Sequence, residues 1–301
     1  MLDARRAART AALALATLLA AGTGVAAPAE RYWPPIVDPP TGQHTPGRWV
    51  WGDLVTADVA AAAGFYGQVF GWTYETYGGE DDLDTYTLVL SDGLPIGGMV
   101  FDQRAVKDKV PSARWIGLVS VPDVAAAAEA VAKHGGKVLV APKLLGARGQ
   151  TALFQDPDGV PFGAVHSTSG DPADYAGDLN EWVWLDLWTR DVDRATQFYS
   201  AVAGYQVVPL EQDGPRSGAR LVSGGYARAG VMRLNDERAT PVWLPYVRVA
   251  DVAIVLDKAR AAGGKVLREP ASLGRALVAV IADPTGAPVG IAQISDAEAR
   301  P

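Results

Sequence analysis

The sequence predicts an α+β chain built from two tandem copies of one domain, each copy holding two βαβββ units. Self-similarity is the first sign of this. Trp49-Val50-Trp51-Gly52-Asp53-Leu54-Val55-Thr56-Ala57-Asp58 returns as Trp182-Val183-Trp184-Leu185-Asp186-Leu187-Trp188-Thr189-Arg190-Asp191, and Phe65-Tyr66 returns as Phe198-Tyr199 at the same spacing. Further on, Trp115 matches Trp243, Gly135-Gly136-Lys137-Val138 matches Gly263-Gly264-Lys265-Val266, and Asp156-Pro157-Asp158-Gly159 matches Asp283-Pro284-Thr285-Gly286, at a spacing only slightly shorter. The second sign is the alternation of short aromatic and β-branched runs with single amphipathic helices inside each copy.

The elements follow in order. Trp49 to Val55 reads as a strand. Asp58 is placed to cap a helix that carries Ala61, Phe65, Val69 and Phe70 on one face, and Gly71 ends it. Three strands follow, near Thr73 to Tyr77, Tyr86 to Leu90 and Ile96 to Phe101. The second half of the copy repeats the order: a strand from Trp115 to Val121, a helix from Asp123 to His134, then strands near Val138, Ala152 and Phe162. The Asp-, Gly-, Ser- and Pro-rich stretch after Ser167 separates the copies, giving domains at 48–168 and 181–296 with a linker at 169–180.

Composition bounds the chemistry. Hydrophobic residues make up 49% and charged residues 20%, the range of globular chains. With no cysteine, disulfides and thiolate chemistry are out of reach, and three histidines limit metal chemistry, since a catalytic zinc site usually needs two or three. A net charge of −7 argues against a nucleic-acid partner. At the N-terminus, Arg5, Arg6 and Arg9 precede an apolar run from Ala11 to Ala21 and the small-x-small pattern Ala27-Pro28-Ala29. That order is a secretory signal over residues 1–29, since the run is short for a span of about 20 residues. An exported protein, periplasmic or secreted, follows, with no stable membrane insertion after cleavage. Residues 30–47, with Pro34, Pro35, Pro39, Pro40 and Pro46, read as a linker.

Taken together, the strand–Asp–helix–Phe-Tyr–Phe-Gly-Trp series (Asp58, Phe65, Tyr66, Phe70, Gly71, Trp72), Gly-Gly-Lys-Val and the Asp-Pro-Asp-Gly turn resemble the vicinal oxygen chelate superfamily. That group includes glyoxalase I, extradiol dioxygenases and bleomycin-resistance proteins. The resemblance implies that each copy forms a curved eight-stranded mixed sheet around a cleft, with helices outside. It also implies where metal ligands would stand. Those positions hold Trp51 and Trp184, fall at or beside Trp115-Ile116 and Trp243-Leu244, and continue at Gly97-Gly98, Gly163, Gly230-Val231 and Gly290. None offers an electron pair to a hard or borderline cation, so no metal and no cofactor is expected. His134 is expected to end a helix, and His44 and His166 to be inert tail and surface residues.

Period-two alternation places Trp49, Trp51, Asp53 and Val55 on one face of the first strand, and Trp182, Trp184, Asp186 and Trp188 on one face of its repeat, with Trp115 and Trp243 joining from the facing half. Val50, Leu54, Val183, Leu185 and Leu187 are expected to face the helices. Indoles around a lone acid suit a small aromatic or cationic ligand. Two other readings remain open: a lyase or isomerase with Asp53 or Asp186 as base, and a structural module with filled clefts. Arg216, Arg220, Arg228 and Arg233 read as solvated charges.

Overall fold

A computed structural model describes residues 32–78, 85–102, 113–174, 177–210, 218–273 and 276–295. The expected export signal and Arg216 lie outside them. In each copy four strands and a helix occur twice over. The first copy runs β1 (Trp49–Thr56), α1 (Val59–Phe70), β2 (Thr73–Tyr77), β3 (Tyr86–Ser91), β4 (Leu94–Phe101), β5 (Arg114–Ser120), α2 (Val124–Lys133), β6 (Lys137–Leu144), β7 (Gln150–Gln155) and β8 (Pro161–His166). The second runs β9 (Trp182–Thr189), α3 (Val192–Ala203), β10 (Gln206–Pro209), β11 (Gly218–Ser223), β12 (Tyr226–Arg233), β13 (Val242–Arg248), α4 (Val252–Ala261), β14 (Lys265–Leu273), β15 (Ala276–Ala282) and β16 (Pro288–Gln293). Hydrogen bonding orders the first sheet β2-β3-β4-β1-β5-β8-β7-β6 and the second β10-β11-β12-β9-β13-β16-β15-β14. Both are mixed: β1 runs parallel to β4 and β9 to β12, while β3 is antiparallel to β4 and β11 to β12. The chain is thus two eight-stranded mixed sheets, each flanked by helices.

One local device starts every helix. Asp58, Asp123, Asp191 and Asp251 hold extended backbone, and each accepts from amides of the first turn. Asp58 accepts from Ala61 at 2.8 Å and Asp123 from Ala125 at 2.7 Å. Asp191 accepts from Arg194 at 3.0 Å and Asp251 from Ala253 at 2.8 Å. Gly71 and Gly204 close α1 and α3 at φ 77° and 74°, a left-handed conformation that favours glycine.

Packing divides the chain into two compact units, and each draws on both copies. The first holds residues through Trp51, Ile116–Ala173 and Leu185–Trp243. Its core joins Val119, Val131, Phe154 and Phe162 of the first copy to Leu187, Phe198, Tyr199 and Trp243 of the second, with α2 against α3. The second unit holds Gly52–Trp115, Asp174–Trp184 and residues from Leu244 on. There Leu54, Phe65, Tyr66 and Trp115 meet Val247, Leu256, Ile281 and Val289, with α1 against α4.

The repeated motifs converge on these cores. In the first unit the Trp243 indole donates to the Tyr199 hydroxyl at 2.7 Å, and that hydroxyl donates to Asp156 Oδ2 at 3.2 Å. Asp156 Oδ1 meanwhile accepts from the amides of Asp158 at 2.9 Å and Val160 at 2.8 Å, which closes the Asp-Pro-Asp-Gly turn. Gly136 lets the Phe198 ring approach: a Cβ there would lie 2.8 Å from it. The second unit repeats the arrangement. Trp115 donates to Tyr66 at 3.0 Å, Tyr66 stands against Asp283, and Gly264 makes room for Phe65. This second relay is looser, because Asp283 Oδ2 closes no hydrogen bond of ordinary geometry. Burial raises both tyrosines well above their usual pKa, and the facing carboxylates add to it.

Asp156 is pushed up to about 7, chiefly by burial and against the pull of the Val160 amide. Asp283 is raised for the same first cause. A carboxyl raised in the folded state stabilises fully below its unfolded pKa of about 3.9, and that contribution is lost as pH climbs through the folded value. Stability measured by denaturant titration is therefore expected to fall between about pH 4 and about pH 7. Asp156→Asn, which keeps the acceptor for Val160, should flatten that slope, leaving the smaller part due to Asp283. An unchanged slope would remove Asp156 from the account. Tyr199→Phe strands the Trp243 N–H and should cost about 1–3 kcal/mol.

Candidate functional site

In the first copy the predicted site is closed by the protein's own side chains. Trp51 is 5% exposed, and the Arg148 guanidinium stands 5.0 Å from its ring centroid and 5.0 Å from that of Trp33. Arg148, on a single 3-10 turn (Gly146–Arg148), is 1% exposed, so this cation sits between two indoles away from water. Trp33 is delivered by the segment that reads as a Pro-rich linker. It is fastened along residues 167–172: Val37 N donates to Ser169 Oγ at 3.2 Å, Thr41 Oγ1 to the Asp171 carbonyl at 2.7 Å, and Thr45 N to Asp171 Oδ2 at 2.6 Å. His44 and His166, expected to be inert, stack at 4.3 Å as part of this seam. His166 is also half-buried, with Nδ1 3.1 Å from the Val121 carbonyl, because it ends β8 rather than lying beyond it. His134 caps α2, as its place before Gly135-Gly136 suggests.

Asp53 is likewise engaged. It is 1% exposed and accepts from the Tyr86 hydroxyl at 2.6 Å. Tyr86 reaches it across Gly98, the register partner of Asp53 on β4. A Cβ on Gly98 would overlap the phenol oxygen, so this contact exists only because that position is glycine.

The second copy keeps the acid and changes its surroundings. On β9, Asp186 is 2% exposed while Trp188 is half-exposed. Both lie opposite the core residue Leu187. Asp186 is in register with Gly230 on β12, and Gly230 with Arg220 on β11. Arg220 is exposed, and its strand neighbours Ala219 and Leu221 face the helices, which puts Arg220 on the side of Asp186. Sequence reasoning misses Arg220, which reads there as a solvated charge. Its signal is its place between two small or apolar residues on a strand. Trp184, in the second unit, is half-exposed, unlike its repeat Trp51.

The other four tryptophans predicted for the site pack with the helices. Trp115 and Trp243 bond Tyr66 and Tyr199, because their strands turn that parity inward along with Val119 and Val247. Trp49 packs 4.7 Å from Trp243 and lies across Gly117, where a Cβ would be 2.7 Å from its ring. Trp182 packs 4.9 Å from Trp115 and donates to the Ile96 carbonyl at 2.8 Å. Alternation therefore does not reach the first residue of β1 or β9. Leu54, Leu185 and Leu187 face the helices as expected, whereas Val183 is half-exposed.

The residues present do not fit the superfamily's metal ion. Besides Gly98, Gly163 is covered by Leu118 and Gly290 by Tyr246, each too close to leave room for a Cβ. A glutamate at any of these positions would collide with that neighbour. Among the described residues no group of three or more His, Asp or Glu side chains is arranged to hold an ion. Nor, among them, is any helix long and apolar enough to cross a membrane.

Comparison with known proteins agrees with this fold. Residues 48–163 match the family model of the glyoxalase, bleomycin resistance protein and dioxygenase superfamily, and residues 182–292 match a glyoxalase-like domain. CFP32 of Mycobacterium tuberculosis, assigned by name as a glyoxylase, is 29% identical over 252 residues, 83% of this chain and 95% of that protein. The anthracycline biosynthesis protein DnrV of Streptomyces peucetius is 28% identical over 265 residues, 84% of this chain and 96% of its own. Among solved structures, the Mn(II)-bound glyoxalase from Novosphingobium aromaticivorans superposes with a TM-score of 0.57 at 16% identity, over 83% of this chain and 82% of that one. A variant of homoprotocatechuate 2,3-dioxygenase from B. fuscum gives 0.58 at 18%, over 85% and 74%. The chain is a two-domain protein of the vicinal oxygen chelate, glyoxalase-like superfamily.

The closed first site has a measurable counterpart. Arg148→Ala removes the buried cation and leaves a void between two indoles, so a loss of about 2–4 kcal/mol is expected in denaturant titration, with a red shift of tryptophan emission. A variant as stable as the parent would mean that the sandwich contributes nothing.

Proposed function

We propose that this protein is an exported, metal-independent small-molecule binder whose ligand site lies in the second copy, the first being closed by its own side chains. The observation that carries this is the contrast between repeats. Trp51 is covered by Arg148 and Trp33, and Asp53 by Tyr86, whereas Trp188 is half-exposed and Arg220, two strands away in the same sheet, is exposed. A half-exposed indole offers stacking area to an aromatic ligand. Metal independence is supported by the covered glycines at the ligand positions. Export is supported by the basic, apolar, small-residue order of residues 1–29. Two relatives are named for the biosynthesis of anthracyclines, which are aromatic, and this supports an aromatic ligand. The filled-cleft reading then applies to the first copy alone. An Asp53 general base is disfavoured because that carboxylate already accepts the Tyr86 hydroxyl.

A panel of aromatic compounds screened by thermal shift and titration calorimetry tests this reading. Trp188→Ala should weaken any ligand found by about 10-fold, while Trp51→Ala should lower stability and leave affinity within about 2-fold. Affinity that tracks Trp51 instead, or stoichiometric metal in the purified protein by elemental analysis, would overturn the assignment. The mature N-terminus of protein recovered outside the cytoplasm should follow Ala29.

A further inference from the structure

The segment before β1 carries its own aromatic anchor. Trp33, Pro34 and Ile36 are buried, residues 38–44 are exposed, and none of this stretch belongs to a helix or strand. The strap reaches residues 167–172 through the hydrogen bonds of Val37, Thr41 and Thr45, and Gly42 N donates to the Ser169 carbonyl at 3.1 Å. Its anchor ends on the Arg148 guanidinium, which lies 5.0 Å from the Trp33 ring centroid and 5.0 Å from that of Trp51. The receiving side is built without the strap. Trp51 belongs to β1, and Arg148 ends the turn Gly146–Arg148. Arg148 N donates to the Leu145 carbonyl at 3.0 Å, and Leu145 N to the Gly149 carbonyl at 3.0 Å. The Ala147 carbonyl accepts from Thr168 Oγ1 at 2.6 Å. All of these residues lie within the first packing unit.

We propose that the first copy holds a ring-binding site on the Arg148 guanidinium, occupied in cis by Trp33, and that an electron-rich aromatic ring of indole size enters it when the strap lifts. This site is separate from the one placed in the second copy and stands or falls without it. A guanidinium shielded from water is attracted to the negative face of an aromatic ring, and indole is the strongest such ring among side chains. Trp33 shows that the site accepts a ring of that shape. The same cation sets what is refused, because a ring bearing positive charge would place cation on cation. The strap is suited to parting from its receiver: a few buried side chains are followed by exposed backbone with no strand or helix. Such regions open at free energies well below that of the whole fold. The Arg148 turn and Trp51 keep their places when it leaves, since β1, the turn's own bonds and Thr168 hold them. A tethered side chain competes at an effective concentration on the order of millimolar. A free ring therefore gains the site only where the anchor is weakened or withdrawn. The closure of the first copy is then a covered site rather than the loss of one.

Calorimetric titration of the full chain carrying Trp33→Ala tests the site, with indole and the similar-sized cation N-methylquinolinium as probes. The variant should bind one equivalent of indole that the parent does not, and should bind N-methylquinolinium at that place about 10-fold more weakly or less. Trp33→Leu keeps the anchor apolar and should also admit indole, so it decides the matter should the alanine variant not fold. A folded variant that takes up no more indole than the parent overturns the site. Equal binding of the two probes overturns the ligand class, since the space is then a plain apolar void. Amide hydrogen exchange in the parent tests the lifting of the strap. The Val37 and Thr45 amides, bonded to Ser169 Oγ and Asp171 Oδ2, should exchange about 100-fold faster or more than the Val121 amide, which donates to the Val165 carbonyl at 3.0 Å. Equal protection at the three amides would mean that the strap leaves only when the whole fold does, and overturns the opening.

Discussion

The fold depends on a polar chain buried inside each hydrophobic core: an indole N–H on a tyrosine hydroxyl, and that hydroxyl facing the aspartate of an Asp-Pro-x-Gly turn. Trp243, Tyr199 and Asp156 form one, and Trp115, Tyr66 and Asp283 the other. Each holds a strand, a helix and a turn in one geometry, because a buried donor or acceptor left unmade costs more than a formed bond returns. Each also joins the two copies, since the tryptophan and tyrosine come from one and the aspartate from the other. The asymmetry between the relays, with a closed bond at Asp156 and an open oxygen at Asp283, means that the two units are not equally constrained despite their common ancestry.

Duplication supplied two copies whose matching strand positions have come to sit in different surroundings. The first copy engages its acid with Tyr86 and its tryptophan with Arg148, and both become structure. The second keeps the acid, exposes an indole and adds a cation. The N-terminal segment matters here because Trp33 completes the sandwich only when the series of hydrogen bonds to residues 167–172 brings it there.

Much of the fold is legible in the sequence. The repeat, the element order and the aspartate caps follow from local signals: a short polar acceptor before an apolar period, glycine after it, and alternation in strands. The position of Asp53 and Asp186 opposite the helices also follows from period two. What is not legible is long-range. Nothing near Trp33 or Arg148 announces that they meet, and the covering of Gly98 by Tyr86 depends on strand register. Alternation groups Trp49, Trp115, Trp182 and Trp243 with the acids, yet it fixes a face only within a regular strand. It fails at a strand's first residue, and it cannot say which parity of β5 or β13 turns inward. Arg220 escapes notice because an isolated charge carries no signal until its row is known.

The interleaved cores bear on ancestry. Neither repeat alone contains a complete hydrophobic interior, because α1 packs on α4 and α2 on α3. A single-copy forebear would have needed to associate with its twin to fold, the two chains exchanging halves, and gene fusion would have made that partnership permanent. The stretch joining the repeats is then the scar of that fusion, and what keeps the halves together is their shared interior rather than the backbone that runs between them.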